Sequence, residues 1–198
     1  MNSRKKFFTG LTFLLIGQIF IMLGIERMYY YIPVISDVTM FTIPFIKETG
    51  VVLQIVGLAC LFPFSKYFKT AFYLAIASAV LQVAYIATGM AGGDTIFHRL
   101  FYTAEFAAYI FAVYYSIDGF ASYFHRNGNY KMYDFSGTVR SVFSTCILIA
   151  CILSWAERIP QVVENNTLMV IVVVSGAAFE LIGQGFYLAF LILSEKRD

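Results

Sequence analysis

Residues 7–25 read FFTGLTFLLIGQIFIMLGI, nineteen residues without a charge. As a helix this stretch rises about 28 Å, close to the ~30 Å hydrocarbon thickness of a bilayer. Arg4, Lys5 and Lys6 precede it, and Glu26 and Arg27 follow. Gly10, Gly17 and Gly24 recur every seven residues, a step that returns to nearly the same helix face. The three glycines therefore form a smooth ridge along which a second helix can approach closely. A basic start before an apolar run also describes a secretory leader. This run ends without a small-x-small cleavage site, so a retained first span is expected.

The rest of the chain follows the same pattern. Of 198 residues, 60% are hydrophobic and 13% charged, with a mean hydropathy of +0.74. A soluble domain carries about 25% charged residues, so the composition excludes an ordinary soluble or disordered chain and fits a helical integral membrane protein. Six stretches are long and apolar enough to span: 7–25, 40–62, 70–90, 95–117, 139–156 and 167–193. The expected fold is an all-α, polytopic six-transmembrane-helix bundle with short loops, one domain over 1–198. Pro33 and Asp37 follow the first span and Pro63 ends the second. Gly92-Gly93-Asp94 marks a turn before the fourth, and Asn165-Asn166 can cap the sixth.

The basic residues give this model a sidedness. Arg4, Lys5, Lys6, Lys66, Lys69, Arg126, Lys131, Arg140, Lys196 and Arg197 fall on one side, against Arg27, Arg99 and Arg158 on or near the other. By the positive-inside rule, both termini are expected in the cytoplasm of a multi-pass cell-membrane protein. Tyr29-Tyr30-Tyr31 and Trp155 then fall in the outer aromatic belt. The longest non-spanning piece, 118–140, mixes Tyr123, Phe124, Tyr130, Tyr133 and Phe135 with Arg126 and Lys131. It is expected either to lie along an anionic lipid surface or to dock a protein partner. Gly50 and Gly57 in span two, and Gly176 and Gly183 in span six, repeat the seven-residue seam. A weak parallel repeat relates the first and last hairpins: Glu26-Arg27 before Ile32-Pro33 matches Glu157-Arg158 before Ile159-Pro160.

Four charges remain inside the spans: Lys47, Glu48, Glu105 and Glu180. Ionisable groups in lipid are costly and are functional candidates by default. In span four, His98, Tyr102, Glu105, Tyr109, Ala112 and Ser116 step by four and three residues and share one face. Lys47, Gly50, Gln54 and Gly57 do the same in span two, and Gly176, Glu180, Gly183, Gln184 and Tyr187 in span six. Span three offers Ser78, Gln82 and Tyr85, and span one adds Gln18. These faces are expected to point inward. Two readings stay open. One is a buried ion-pair network around Lys47 that fixes the bundle's register. The other is a polar binding site or pathway, with Glu105 and Glu180 as acceptors, Lys47 as counter-charge, Glu48 beside it, and His98, Tyr102, Tyr109, Gln54, Gln82 and Gln184 as lining.

No enzyme motif stands out: there is no His-Glu-x-x-His, Gly-x-Ser-x-Gly or Walker A loop. Three isolated cysteines and two histidines give no metal-ligand spacing, and neither cofactor nor nucleic-acid binding is expected. In size and span count the chain resembles small solute-binding membrane subunits of uptake systems, a likeness of shape alone. The functional expectation is transport or membrane-embedded binding of a small solute or cation. The alternative is a non-catalytic membrane sensor or accessory subunit that contacts a partner through 118–140.

Overall fold

The computed structural model describes residues 3–24, 43–92, 96–157 and 159–196. Among them the chain forms six long helices and one short one. These are α1 (Ser3–Leu23), α2 (Ile43–Leu61), α3 (Lys66–Gly92), α4 (Ile96–Arg126), α5 (Tyr130–Ala156), α6 (Pro160–Val163) and α7 (Asn166–Lys196). No strand occurs among the described residues. Five helices are long and apolar enough to cross a membrane: Arg4–Leu23, Lys66–Thr88, Ile96–Arg126, Tyr130–Ala156 and Asn166–Glu195. The chain thus has the make-up of a multi-pass membrane protein. α2 is not one of these five. Beyond Lys47 and Glu48, its uncharged stretch over 49–61 is about 20 Å long, short of the ~30 Å core.

The long helices pair as three antiparallel hairpins, α1–α2, α3–α4 and α5–α7. Further packing of α2 on α3, α4 on α5 and α7 on α1 closes them into a ring. The outer surface is apolar, with Val52, Val80, Val83, Phe111, Leu148 and Ile171 all exposed. Water would penalise such a surface, whereas lipid does not.

The glycine ridges meet face to face. A Cβ on Gly17 would lie 2.7 Å from the carbonyl oxygen of Gly50, and a Cβ on Gly50 would lie 2.7 Å from the carbonyl oxygen of Gly17. Gly10 and Gly57 oppose each other in the same way, at 2.9 and 2.8 Å, while Gly24 sits against Cβ of Lys47. The neighbour in these contacts is backbone, which cannot rotate aside. Gly183 is in a similar position on α7, where a Cβ would approach Ile147 of α5 to 3.0 Å.

Two helices extend further than the sequence implied. α4 continues to Arg126 and α5 begins at Tyr130, so 118–140 forms a helical hairpin with a three-residue turn. Gly128 takes φ +74° in that turn, a left-handed conformation suited to glycine after a helix end. Asn129 caps α5, its side chain accepting from the Met132 N–H at 3.3 Å. The hairpin is helical because its apolar residues point inward: Phe120, Phe124, Met132 and Val139 are all buried. At the start of α7, Asn165 Oδ1 accepts from the N–H groups of Thr167 and Leu168 at 3.1 Å, the expected cap. The Gly92-Gly93-Asp94 turn, the Tyr29–Tyr31 run, and Glu26, Arg27 and Arg158 of the repeat fall wholly or partly outside the described residues.

Gly17→Ala is expected to destabilise the detergent-solubilised protein by about 1–3 kcal/mol, because the added methyl group meets backbone. Gly185→Ala, where a Cβ meets nothing within 4 Å, is expected to be neutral or to stabilise by up to about 1 kcal/mol. Denaturant titration in micelles compares the two.

Candidate functional site

The α1–α2 glycine contact brings Gln18 beside Gln54, and both are buried. Gln54 Nε2 donates to Gln18 Oε1 at 2.9 Å, and Gln18 Nε2 donates to Gln184 Oε1 at 2.6 Å. The Tyr109 hydroxyl completes the group, donating to Gln184 Oε1 at 2.8 Å with a longer 3.5 Å approach to Gln18 Oε1. Three carboxamides and a phenol from α1, α2, α4 and α7 therefore meet on the bundle axis. A second pair lies further along: Ser116 Oγ and the Tyr187 hydroxyl are 2.9 Å apart.

The charged groups surround this tier. Glu105, 5% exposed, lies one turn from Tyr109 on α4, and its Oε1 accepts from Ser78 Oγ of α3 at 3.4 Å. Gln82 is buried one turn from Ser78. Glu180 precedes Gln184 by one turn of α7 and is half-buried, as are Lys47 and Glu48. Of the residues singled out in the sequence, Tyr109 and Gln184 are thus in direct contact and Gln54 joins them through Gln18, while Glu105 and Glu180 lie one turn away on α4 and α7.

His98 and Tyr102 belong to a different group. The His98 ring stacks on Tyr85 with centroids 4.2 Å apart, and its Nδ1 lies 3.0 Å from the Tyr85 carbonyl oxygen and 3.2 Å from Thr88 Oγ1. Tyr102 packs between Tyr85 and Phe106, with both centroids 5.5 Å away. These contacts join the ends of α3 and α4. Nearby, Trp155 Nε1 of α5 donates to Thr103 Oγ1 at 3.1 Å.

Gln18 is the central residue that the sequence reading left out of the site. Its signal was present: a lone carboxamide in an uncharged span, next to a ridge glycine. Among the described residues, no group of three His, Cys, Asp or Glu side chains comes together as a metal site.

The axis ends differently toward the chain termini. There Phe7 stacks on Tyr123 with centroids 4.1 Å apart and meets Phe64 and Phe120 edge-on at 5.2 and 6.0 Å. Phe120 also packs against Phe68 at 5.0 Å and Phe190 at 5.7 Å. Interlocked rings from α1, α3, α4 and α7 close the bundle below the polar tier.

No known family, curated protein or solved structure matches the chain.

Gln18→Leu is expected to cost about 1–2 kcal/mol, since it leaves buried partners on α2 and α7 unsatisfied. Thr12→Leu, on the exposed face of the same helix, is expected to stay within about 0.5 kcal/mol. Unfolding midpoints in micelles give both values.

Proposed function

We propose that the protein is a six-span membrane protein, with both termini in the cytoplasm, that binds and passes a small solute or cation at an acidic intramembrane site. The reading rests on one observation: Glu105, one turn from Tyr109 on α4, and Glu180, one turn from Gln184 on α7, are buried and half-buried within a bundle whose outer face is apolar. Carboxylates outnumber the one ammonium within these helices, and ionisable groups in lipid are costly. A bound cation or proton offsets that excess. In this reading Glu105 and Glu180 accept the cation, Lys47 tunes their charge, and Tyr109, Gln54, Gln82 and Gln184 supply polar lining. Glu48, His98 and Tyr102 stand toward the outer mouth. α2 is the sixth span, held across the bilayer by the glycine contact with α1 and turning Lys47 toward the bundle.

The aromatic closure toward the termini makes passage a two-step event. The cation reaches the polar tier from the outer side. Release on the other side requires the rings around Phe7 and Phe120 to part, an alternation between two packings.

The test uses the full-length protein in proteoliposomes carrying a pH-sensitive dye, with imposed proton, sodium or potassium gradients. At least one gradient is expected to collapse faster than in empty vesicles, and Glu105→Gln and Glu180→Gln each to abolish the effect while the protein remains folded by circular dichroism. Collapse no faster than in empty vesicles, or loss of folded protein as the sole effect of both variants, overturns the reading.

A second reading, a non-catalytic sensor or accessory subunit, draws on Tyr130 and Tyr133, which stand exposed at the α4–α5 turn. It predicts that a partner is lost on copurification when that turn is replaced.

A further inference from the structure

A cavity of about 550 Å³ lies between the end of α4, the start of α5 and Tyr67 near the start of α3. That volume falls in the ~300–1,000 Å³ range of small-molecule sites. Its depth follows from helix geometry. Asp118 is nine residues beyond Tyr109 and Arg126 seventeen, which places them about 14 and 26 Å further along the axis. On the proposed reading, which puts the polar tier at mid-depth, and with a hydrocarbon half-thickness of about 15 Å, the cavity would begin at the hydrocarbon edge and open at headgroup level.

Its charged lining is balanced: Asp118 and Asp134 against Arg126 and Arg140, with His125 alongside. Two of these charges are committed to each other. Arg140 Nη1 donates to Asp118 Oδ1 at 2.5 Å, and the Arg140 guanidinium lies over the Tyr114 ring at 5.0 Å. The other two, both exposed, have no ion-pair partner among the described residues. Arg126 uses its Nε on the Ser122 carbonyl oxygen at 3.3 Å, which leaves both terminal nitrogens of its fork. Asp134 has no hydrogen-bond or ion-pair partner among the described residues. His125 meets Tyr130 and Tyr133 edge-on, at 5.8 and 5.2 Å.

One uncommitted cation and one uncommitted anion therefore line the same cavity. A simple anion would satisfy Arg126 and face Asp134 unpaired, and a simple cation would do the reverse. A ligand that carries both signs satisfies both. A guanidinium fork fits phosphate oxygens in bidentate fashion, and a carboxylate accepts from the N–H groups of an ammonium.

We propose that this cavity binds a zwitterionic group bearing a phosphate and a primary ammonium, of the phosphoethanolamine type, with Arg126 on the phosphate and Asp134 on the ammonium. The group is either a lipid headgroup entering at the bilayer surface or its soluble counterpart.

The experiment measures thermal unfolding and native-mass-spectrometric binding of the full-length protein in micelles. The probes are phosphatidylethanolamine, phosphatidylcholine, phosphatidylglycerol, soluble O-phosphoethanolamine and inorganic phosphate. Phosphatidylethanolamine is expected to bind about tenfold more tightly than the choline and glycerol lipids. Arg126→Ala and Asp134→Asn should each remove that preference, whereas Lys131→Ala, exposed and outside the lining, keeps it. Binding of soluble O-phosphoethanolamine with no preference among the lipids also supports the site and identifies a soluble source. Equal binding of all three lipids without soluble binding, preferential binding of phosphatidylglycerol or phosphate, or a preference that survives both substitutions overturns the proposal.

Discussion

The carboxamide of Gln18 is the joint at which the ring of helices closes. Five of the six neighbouring pairs in that ring follow one another along the chain, which helps bring them together. α1 and α7 have no such link. In lipid there is also no hydrophobic drive to press helices against each other, so polar bonds and close backbone packing must do so. The 2.6 Å bond from Gln18 to Gln184 lies at this untethered seam. Its counterpart on the other side, from Gln54, is made possible by Gly17 and Gly50, whose lack of side chains lets α1 and α2 approach until the two glutamines touch.

The polar tier is tolerated in a dry interior because its members satisfy one another. Gln184 Oε1 accepts from Gln18 and Tyr109, and Gln18 Oε1 accepts from Gln54, so the donors come from different helices. Truncating one member leaves donors or acceptors stranded on two or three neighbours. A network of this kind fixes which helices lie side by side more firmly than apolar packing can, because apolar surfaces slide in lipid and hydrogen bonds do not. The same network positions Tyr109, one turn from Glu105 on its own helix.

Much of this was legible in the sequence, and the parts that were not share a cause. The helical stretches, the glycine seams and the Asn165 cap depend on local pattern, and a local pattern survives without knowledge of the fold. The inward face of α4 was also readable: Glu105, Tyr109, Ala112 and Ser116 repeat at helical spacing and all are buried. The importance of Gln18 was not readable, because it depends on ring order, which brings together residues 166 positions apart. The helicity of 118–140 was hidden for a different reason. Its polar and aromatic mixture is that of an interface, and composition does not separate an irregular surface loop from two helix ends. Phe120, Phe124, Met132 and Val139 were the clue, four apolar residues at helical spacing whose shared burial makes both extensions helical.

The two ends of the axis are electrically unequal as well as structurally unequal. The interlocked rings of Phe7, Phe68, Phe120 and Phe190 are fully buried and form a segment of low dielectric constant. A charge held beside Glu105 has that segment between itself and the end bearing the termini, so part of any transmembrane voltage falls across it. Moving one elementary charge through a full 100 mV involves about 2.3 kcal/mol. On the proposed reading, occupancy of the polar tier by a cation would therefore be coupled to membrane potential, through a plug of phenylalanines that carries no charge itself.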